Sequence, residues 1–238
     1  MKQIACTSFL FLMVLISPIV TGRSVSVTTE DQEAQEAQGI LSRIDTQYFI
    51  ENKEQWHSDV LYLARFGGMD AWITKYGVNY TFYKLEEVMD LPYARKASEG
   101  RIGDKEYNLI GHRVLMRYEK HNEHPGTEGR GKQMGYYNYF IGNDKSKHAT
   151  NVGLYKEVVV KDLYKGIDVR YYFEGESLRY DYVVHVGSDP SRIRFRLEGS
   201  EGVYLSKGGE VVFNTRFGET KLGDLKAYQA LGGRWYSE

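Results

Sequence analysis

Between residues 167 and 184 the chain alternates with a period of two, and this alternation constrains the fold more than any other feature. Ile167, Val169, Tyr171 and Phe173 are interleaved with Asp168, Arg170, Tyr172 and Glu174; after Gly175-Glu176 the apolar positions are Leu178, Tyr180, Tyr182 and Val184. Successive side chains of a strand point to opposite faces, so a period of two marks a strand with one buried face. Gly175-Glu176 fits a two-residue Gly-X hairpin turn, which fixes the register. Phe173 then faces Leu178, Tyr171 faces Tyr180, Val169 faces Tyr182 and Ile167 faces Val184. On the opposite face Arg170 meets Asp181 and Tyr172 meets Arg179. Each such pair contributes roughly 0.2–1 kcal/mol. A slip of one residue would turn the charges into the core.

The rest of the chain from residue 48 follows the same logic. Residues 59–65 and 72–83 read as strands, the second bent at Lys75-Tyr76-Gly77, and 108–118 reads as another. Ile193, Phe195 and Leu197 alternate with Arg192, Arg194 and Arg196, while Val203-Tyr204-Leu205 and Val211-Val212-Phe213 flank a Gly208-Gly209 turn. Residues 121–133, polar and glycine-rich, read as a loop. The aromatic content of 14%, with 20 Tyr, favours strands over helices. The only helix candidates are residues 85–89 and a polar stretch near the N-terminus. The expected fold is mainly β: an antiparallel β-sandwich, in one or two lobes, preceded by a short helical or disordered linker. No internal repeat stands out.

The N-terminus reads as an address. Lys2 precedes an apolar run over residues 9–19 broken only by Ser17-Pro18, and Val20-Thr21-Gly22 offers a small residue for cleavage. Residues 1–22 are therefore expected to be a secretory signal peptide. A membrane-spanning helix needs about 20 apolar residues, which this run does not supply. The one cysteine, Cys6, lies before the apolar run, so lipidation there is not expected and the mature chain would carry no disulfide. An exported chain of this kind must be held by its core. Residues 23–46 form a polar linker with Glu-Asp-Gln-Glu-Ala-Gln-Glu-Ala-Gln from Glu30 to Gln38. Residues 47–238 form the β-rich domain.

Function is less legible. A formal net charge of −1 excludes nucleic-acid binding by bulk charge. Phosphate-binding glycine loops, zinc-protease helices and the Gly-x-Ser-x-Gly nucleophile turn do not occur, so no catalytic residue, cofactor or metal is expected. His121 and His124 with Glu119 and Glu123, or Asn143-Asp144 with Asp59 or Asp70, are the nearest approach to metal ligands, but neither has the spacing of a known site. A carboxylate pair of the glycosidase kind would escape this reading. The candidate ligand or interface surface comprises Tyr136, Tyr137 and Tyr139, Tyr172, and the stripe Arg192, Arg194 and Arg196. Exposed rings stack on sugars or anchor protein interfaces, although Tyr also fills half-buried faces and an Arg stripe is commonly a solvated face paired with acids.

Several long stretches carry a resemblance: FIENKEQW at 49–56, VLYLARFGGMDAWITKYGV at 60–78, GYYNYFIGND at 135–144 and the segment 158–199. Over residues 48–230 the chain resembles a module of unknown function found at the N-terminus of large secreted Bacteroidota proteins. The resemblance implies following SBBP-type β-propeller repeats and type IX sorting or gliding-motility-associated C-terminal domains. It carries no catalytic residues. It implies that 47–238 is a domain of unknown function cut short at its C-terminal end, with an open sheet edge near Trp235-Tyr236. The expected role is an exported, non-catalytic structural or adhesion module at the cell surface. Its partners would be the propeller region or another cell-surface protein, with polysaccharide binding through the tyrosines or an unrecognised secreted hydrolase as alternatives. No nucleic acid is expected as partner, nor any membrane span once the leader is removed.

Overall fold

A computed structural model of the chain describes residues 3–12, 47–87, 107–175, 177–223, 226–231 and 234–237. The expected linker at 23–46 lies outside the described residues. The strands, all paired antiparallel, form two open sheets.

The first sheet runs in the order β14 (Val203–Leu205), β15 (Val211–Thr215), β16 (Gly218–Gly223), β1 (Gln3–Leu12), β12 (Ser177–Val184), β11 (Ile167–Glu174), β10 (Glu157–Tyr164), β7 (Gly126–Arg130). Two more strands, β17 (Lys226–Leu231) and β18 (Arg234–Ser237), join it, β17 pairing with both β1 and β18. Trp235 is thus paired, opposite Ala230.

The second sheet runs β13 (Phe195–Glu198), β6 (Tyr107–Tyr118), β5 (Gly77–Glu87), β4 (Met69–Thr74), β3 (Val60–Phe66), β2 (Phe49–Glu51), β9 (Ala149–Tyr155), β8 (Tyr136–Tyr139). The fold is a mainly β, antiparallel two-sheet structure, as the alternation requires.

The β11–β12 hairpin has the expected register in every pair, from Ile167 opposite Val184 to Phe173 opposite Leu178, with Arg170 opposite Asp181. Glu174 pairs with Ser177, so the turn spans two residues. Its apolar face enters one buried cluster shared by both sheets. Val158, Val160, Val169, Tyr171, Tyr180, Tyr182 and Val184 of the first sheet meet Tyr62, Ala64, Phe66, Ile73, Val78, Tyr80, Met116 and Tyr118 of the second. The tyrosines make the two layers specific. The hydroxyls of Tyr118 and Tyr171 bond across the core, and that of Tyr180 donates to Met116 Sδ at 3.8 Å. The polar face of the hairpin continues into a ladder of charges across four strands. Lys161 meets Glu128, Glu128 meets Arg130, Arg130 meets Glu157, and Arg170 bridges Glu157 and Asp181. Exposed pairs of this kind contribute about 0–1 kcal/mol each, so the ladder serves mainly to keep that face outward.

A second, smaller cluster covers the outer face of the second sheet. Ile50, Leu63, Ala149, Val152 and Leu154 are buried there beneath Tyr48, Trp56, Trp72 and Tyr139. The Trp56 ring stands edge-on to Trp72 at 5.1 Å and to Tyr139 at 5.4 Å. Much of the second sheet is therefore covered on both faces.

Four expectations are corrected. The segment 72–83 is not one bent strand: the chain reverses fully between β4 and β5. Thr74 Oγ1 donates to the Gly77 carbonyl at 2.9 Å and accepts from Tyr76 N–H at 3.2 Å. Gly77 has a φ of 144°, and a Cβ there would lie 1.8 Å from the Met116 carbonyl oxygen, so only glycine lets β5 approach β6. Thr215-Arg216-Phe217-Gly218 repeats the device, with Thr215 Oγ1 bonding Gly218 O at 2.9 Å and Phe217 N–H at 3.2 Å.

Residues 121–133 are not all loop, because β7 lies within them, paired with β10. The Tyr155 ring covers Gly129 so closely that a Cβ would meet it at 2.6 Å. The expected helix at 85–89 is strand through Glu87, with Leu85 opposite Leu109; residues 88–89 lie outside the described residues. Finally, Arg192 and Arg194 precede the strand. Arg192 ends a 3-10 turn, Pro190–Arg192, which Asp189 caps by accepting from Ser191 N–H.

The first twelve residues bear on the expected leader. Residues 3–12 form β1, within the first sheet, and residues 13–22 lie outside the described residues.

Candidate functional site

Strand β8 is an edge. Tyr136 pairs with Gly153, Tyr137 with Val152 and Tyr139 with Ala149, with an irregularity between Tyr137 and Tyr139, and among the described residues no strand lies on its other side. The irregularity sends neighbouring aromatics to different surroundings. Tyr139 turns onto Trp56 in the outer cluster, and burial there pushes its hydroxyl pKa up. Tyr136 is 57% exposed and Tyr137 37%, and Met134, Phe140 and Ile141 beside them are exposed as well. Alternation thus fails here in an informative way: a run of large apolar residues lies in solvent on one edge.

The patch is held, not slack. Gln133 N–H donates to the Leu154 carbonyl at 2.8 Å, and Asn151 N–H to Asn138 Oδ1 at 2.9 Å. Beyond β8, Asp144 caps a 3-10 turn (Lys145–Lys147) by accepting from Ser146 N–H and Oγ–H. His148 bonds the Gly142 carbonyl and stands edge-on to Phe140 at 5.5 Å. The rings of Tyr137 and Tyr139 are perpendicular, 6.3 Å between centroids. They do not form the flat platform on which a sugar ring stacks.

A second feature lies under the FIENKEQW loop. A cleft of about 350 Å³ is lined by Glu51, Asn52, Glu54, Trp56, Tyr62 and Thr127 among others. The polar residues of the motif are mostly spent within the loop. Asn52 Nδ2 donates to the carbonyls of His57 and Val60, at 2.9 and 2.8 Å, and its Oδ1 accepts from Trp56 N–H. Gln55, buried, donates to the Glu51 carbonyl at 2.7 Å and accepts from Lys53 N–H at 2.6 Å. Glu51 Oε2 accepts from Gly153 N–H at 3.3 Å. Burial, and then the charges of Glu51 and Glu128, push the Tyr62 hydroxyl up to about 12. Glu128 itself is pulled down to about 2 by hydrogen bonds from Arg130 and Lys161. Glu51 and Glu128 thus serve as an acceptor and an ion-pair partner.

The residues singled out from the sequence do not converge. Tyr136, Tyr137 and Tyr139 lie at one edge of the second sheet, and Arg196 lies on β13 at the other. Seven strand spacings separate them, about 34 Å at ~4.8 Å each. Arg196 is paired with Glu198 at 2.6 Å and Glu119 at 3.5 Å. Arg194 is exposed, and its backbone is held by the Tyr164 hydroxyl. Tyr172, on the first sheet, is half-buried beneath the Arg170 guanidinium, 4.4 Å from its ring centre, and its hydroxyl donates to Asp181.

Three of the suggested metal ligands have other partners. Asp70 accepts from Arg65 at 2.8 Å, Asp59 lies 3.4 Å from His57, and His121 Nδ1 bonds the Asn122 carbonyl. Among the described residues no group of three or more His, Cys, Asp or Glu is placed to hold a metal ion. Sequence reasoning missed Met134, Phe140 and Ile141. Their signal was available: an apolar run continuing past a strand into a Gly-Asn-Asp turn.

Comparison with curated proteins and with solved structures finds no significant match. The sequence model of one family matches residues 49–235, which takes in the FIENKEQW loop, the second sheet with its β8 edge, and the first sheet apart from β1 and the end of β18. The chain belongs to that family, DUF7948, a domain of unknown function.

Proposed function

We propose that this chain is an exported, non-catalytic module that works by attachment, docking through the β8 edge onto another protein of the cell surface. The observation that carries the reading is the run of exposed apolar side chains, Met134, Tyr136, Tyr137, Phe140 and Ile141, on a strand with a free edge. Contiguous apolar surface on a folded protein marks an interaction site. A free edge adds unpaired backbone donors and acceptors that a partner strand can use. Aromatic anchors dominate binding energy at such interfaces. The charged surface offers less, because many of its charges are paired with one another along the ladder. The apolar run after Lys2 supports the export half of the proposal.

Two measurements test it. Protein recovered from its native cell is expected to begin at Arg23, and an N-terminus at Met1 would overturn export. For docking, the purified protein is titrated onto envelope from the same cells. Binding is expected to vanish after protease treatment of the envelope, and to weaken at least tenfold in the double variant Tyr136→Ser/Phe140→Ser with its melting temperature unchanged. Binding that survives protease but not periodate would show polysaccharide as the partner instead. Equal binding by the variant would remove β8 from the account.

A further inference from the structure

Strand β1 has a partner on each side. Ile4 to Leu10 lie against β12 from Val184 to Arg179. On the other side Gln3 to Thr7 pair with β17 from Ala230 to Lys226, and Leu10 to Leu12 with β16 from Gly223 to Lys221. Otherwise β16 pairs with β15, and β17 with β18. Among the described residues, every ladder of hydrogen bonds from the C-terminal strands β14–β18 to the β11–β12 hairpin therefore passes through β1. The same residues open the segment read as a cleavable leader. The two roles exclude each other, since a chain cut after Gly22 has lost a strand from inside its sheet.

We propose that removal of the leader opens a strand-wide slot between β12 and β16–β17, and that this slot takes up an extended, uncharged, apolar segment of another polypeptide. The proposal rests on the export reading above.

The β12 wall and the β16 part of the facing wall outlast the strand, whereas β17 is tied only to β1 and β18 among the described residues. Phe213 and Leu222 are fully buried in the shared core, and the Phe213 ring lies 6.3 Å from that of Phe82 on the second sheet. Side-chain packing thus holds β15 and β16 in place when their ladder to β1 is gone. Tyr180, Tyr182 and Val184 hold β12 in the same way. Adjacent strands lie about 4.8 Å apart, so the walls would stand about 9.6 Å apart, the width of one strand. Backbone groups facing a gap of that width lose their partners without gaining a full water layer, which is costly.

The occupant's chemistry follows from the strand that fits now. Residues 3–12, QIACTSFLFL, contain no charge and no proline. A proline would remove a ladder donor. A charge on the inward alternation would meet the layer formed by Tyr180, Tyr182 and Leu222. The edges β7, β8, β13, β14 and β18, each with one partner among the described residues, offer an incoming strand one ladder. The slot offers two, which makes it the preferred point of strand addition.

The test uses the full chain with a site-specific protease sequence inserted between Gly22 and Arg23, folded first and then cut. A fluorescent peptide of residues 3–12 with a soluble tail is the probe, and the same peptide with Ile4→Lys and Phe9→Lys is the control. The cut protein is expected to take up the probe at least 100-fold more tightly than the control, and the uncut protein neither. Amides of β12 and β17 are expected to lose protection from hydrogen exchange once the leader is washed away, and to regain it with the probe. If those amides stay protected in the cut protein and no probe enters, β16–β17 has closed directly onto β12 and the slot does not exist. If protection depends on protein concentration and a dimer forms that excludes the probe, the occupant is a second copy and the proposed partner is wrong. The cut is made in vitro, so these outcomes are independent of the N-terminus found in the cell.

Discussion

Between pH 9 and pH 11 the protein should unfold in one cooperative step. Tyr80, Tyr118, Tyr171, Tyr180 and Tyr182 are almost fully buried, and burial is the largest cause raising the pKa of each above 10. In the unfolded chain each ionises near 10. A group whose folded pKa is raised contributes stability that is complete below its unfolded pKa and lost as the pH climbs towards the folded one. By pH 11 each buried tyrosine has lost on the order of 1 kcal/mol, and the five together several kcal/mol. That matches the whole stability of an ordinary domain, about 5–15 kcal/mol. Tyr62, raised to about 12, adds to the same window. Tyrosinate absorbance near 295 nm and near-ultraviolet circular dichroism, recorded against pH, check this. Coincident, steep transitions are expected. A gradual tyrosinate titration centred on 10, with the dichroism intact, would mean that these rings are open to solvent.

Val169→Asp should abolish the fold or lower its melting temperature by about 10 °C or more. Val169 is fully buried, between Val160 of β10 and Tyr182 of β12. An aspartate there has no cationic partner on its own face, because Arg170 and Arg179 point to the other. An unpaired charge in such a place costs about 3–5 kcal/mol, and each kcal/mol moves the midpoint of a domain of this size by about 2–4 °C. Glu174→Gln, at the exposed end of the same strand, should shift it by no more than about 2 °C. If Val169→Asp melts with the parent, the assignment of faces in the hairpin is wrong.

The contrast between those two positions could be read from the sequence, because period-two alternation and a two-residue turn determine face and register together. Where local signals and long-range packing diverged, the reading failed. The reversal at Thr74–Gly77 looked like a bend because apolar residues continue through it and the turn is stabilised by a threonine hydroxyl, not by Asn-Gly. Leu85-Glu86-Glu87 has helix-forming residues, yet pairing with Tyr107, Asn108 and Leu109 overrides the preference. Strand β7 has the sequence Gly-Thr-Glu-Gly-Arg, with no apolar residue to announce it; it is held by pairing with β10, with Tyr155 packed on Gly129. At the candidate site, alternation placed Tyr171 on the buried face and Tyr172 on the other, but it could not separate the exposed Tyr136 from Tyr139, packed on Trp56, since both lie in one run of adjacent aromatics. What separates them is which strand comes to lie beside each, and that is set by residues distant in the chain.

The connectivity of the second sheet also sets an order of events. Strands β3, β4, β5 and β6 are neighbours in space in the order in which they leave the ribosome, and the first two turns between them are two residues long. Contacts between near neighbours in sequence close at small entropic cost and therefore early. The ladder of β1 against β12 must wait until residue 184 has been made. The meander should accordingly form while the β10–β12 strands are still being synthesised, and its Tyr80 and Met116 surface then serves as the template on which the later sheet condenses. In pulse-labelling hydrogen exchange during refolding, amides of β4 and β5 would gain protection before those of β11 and β12.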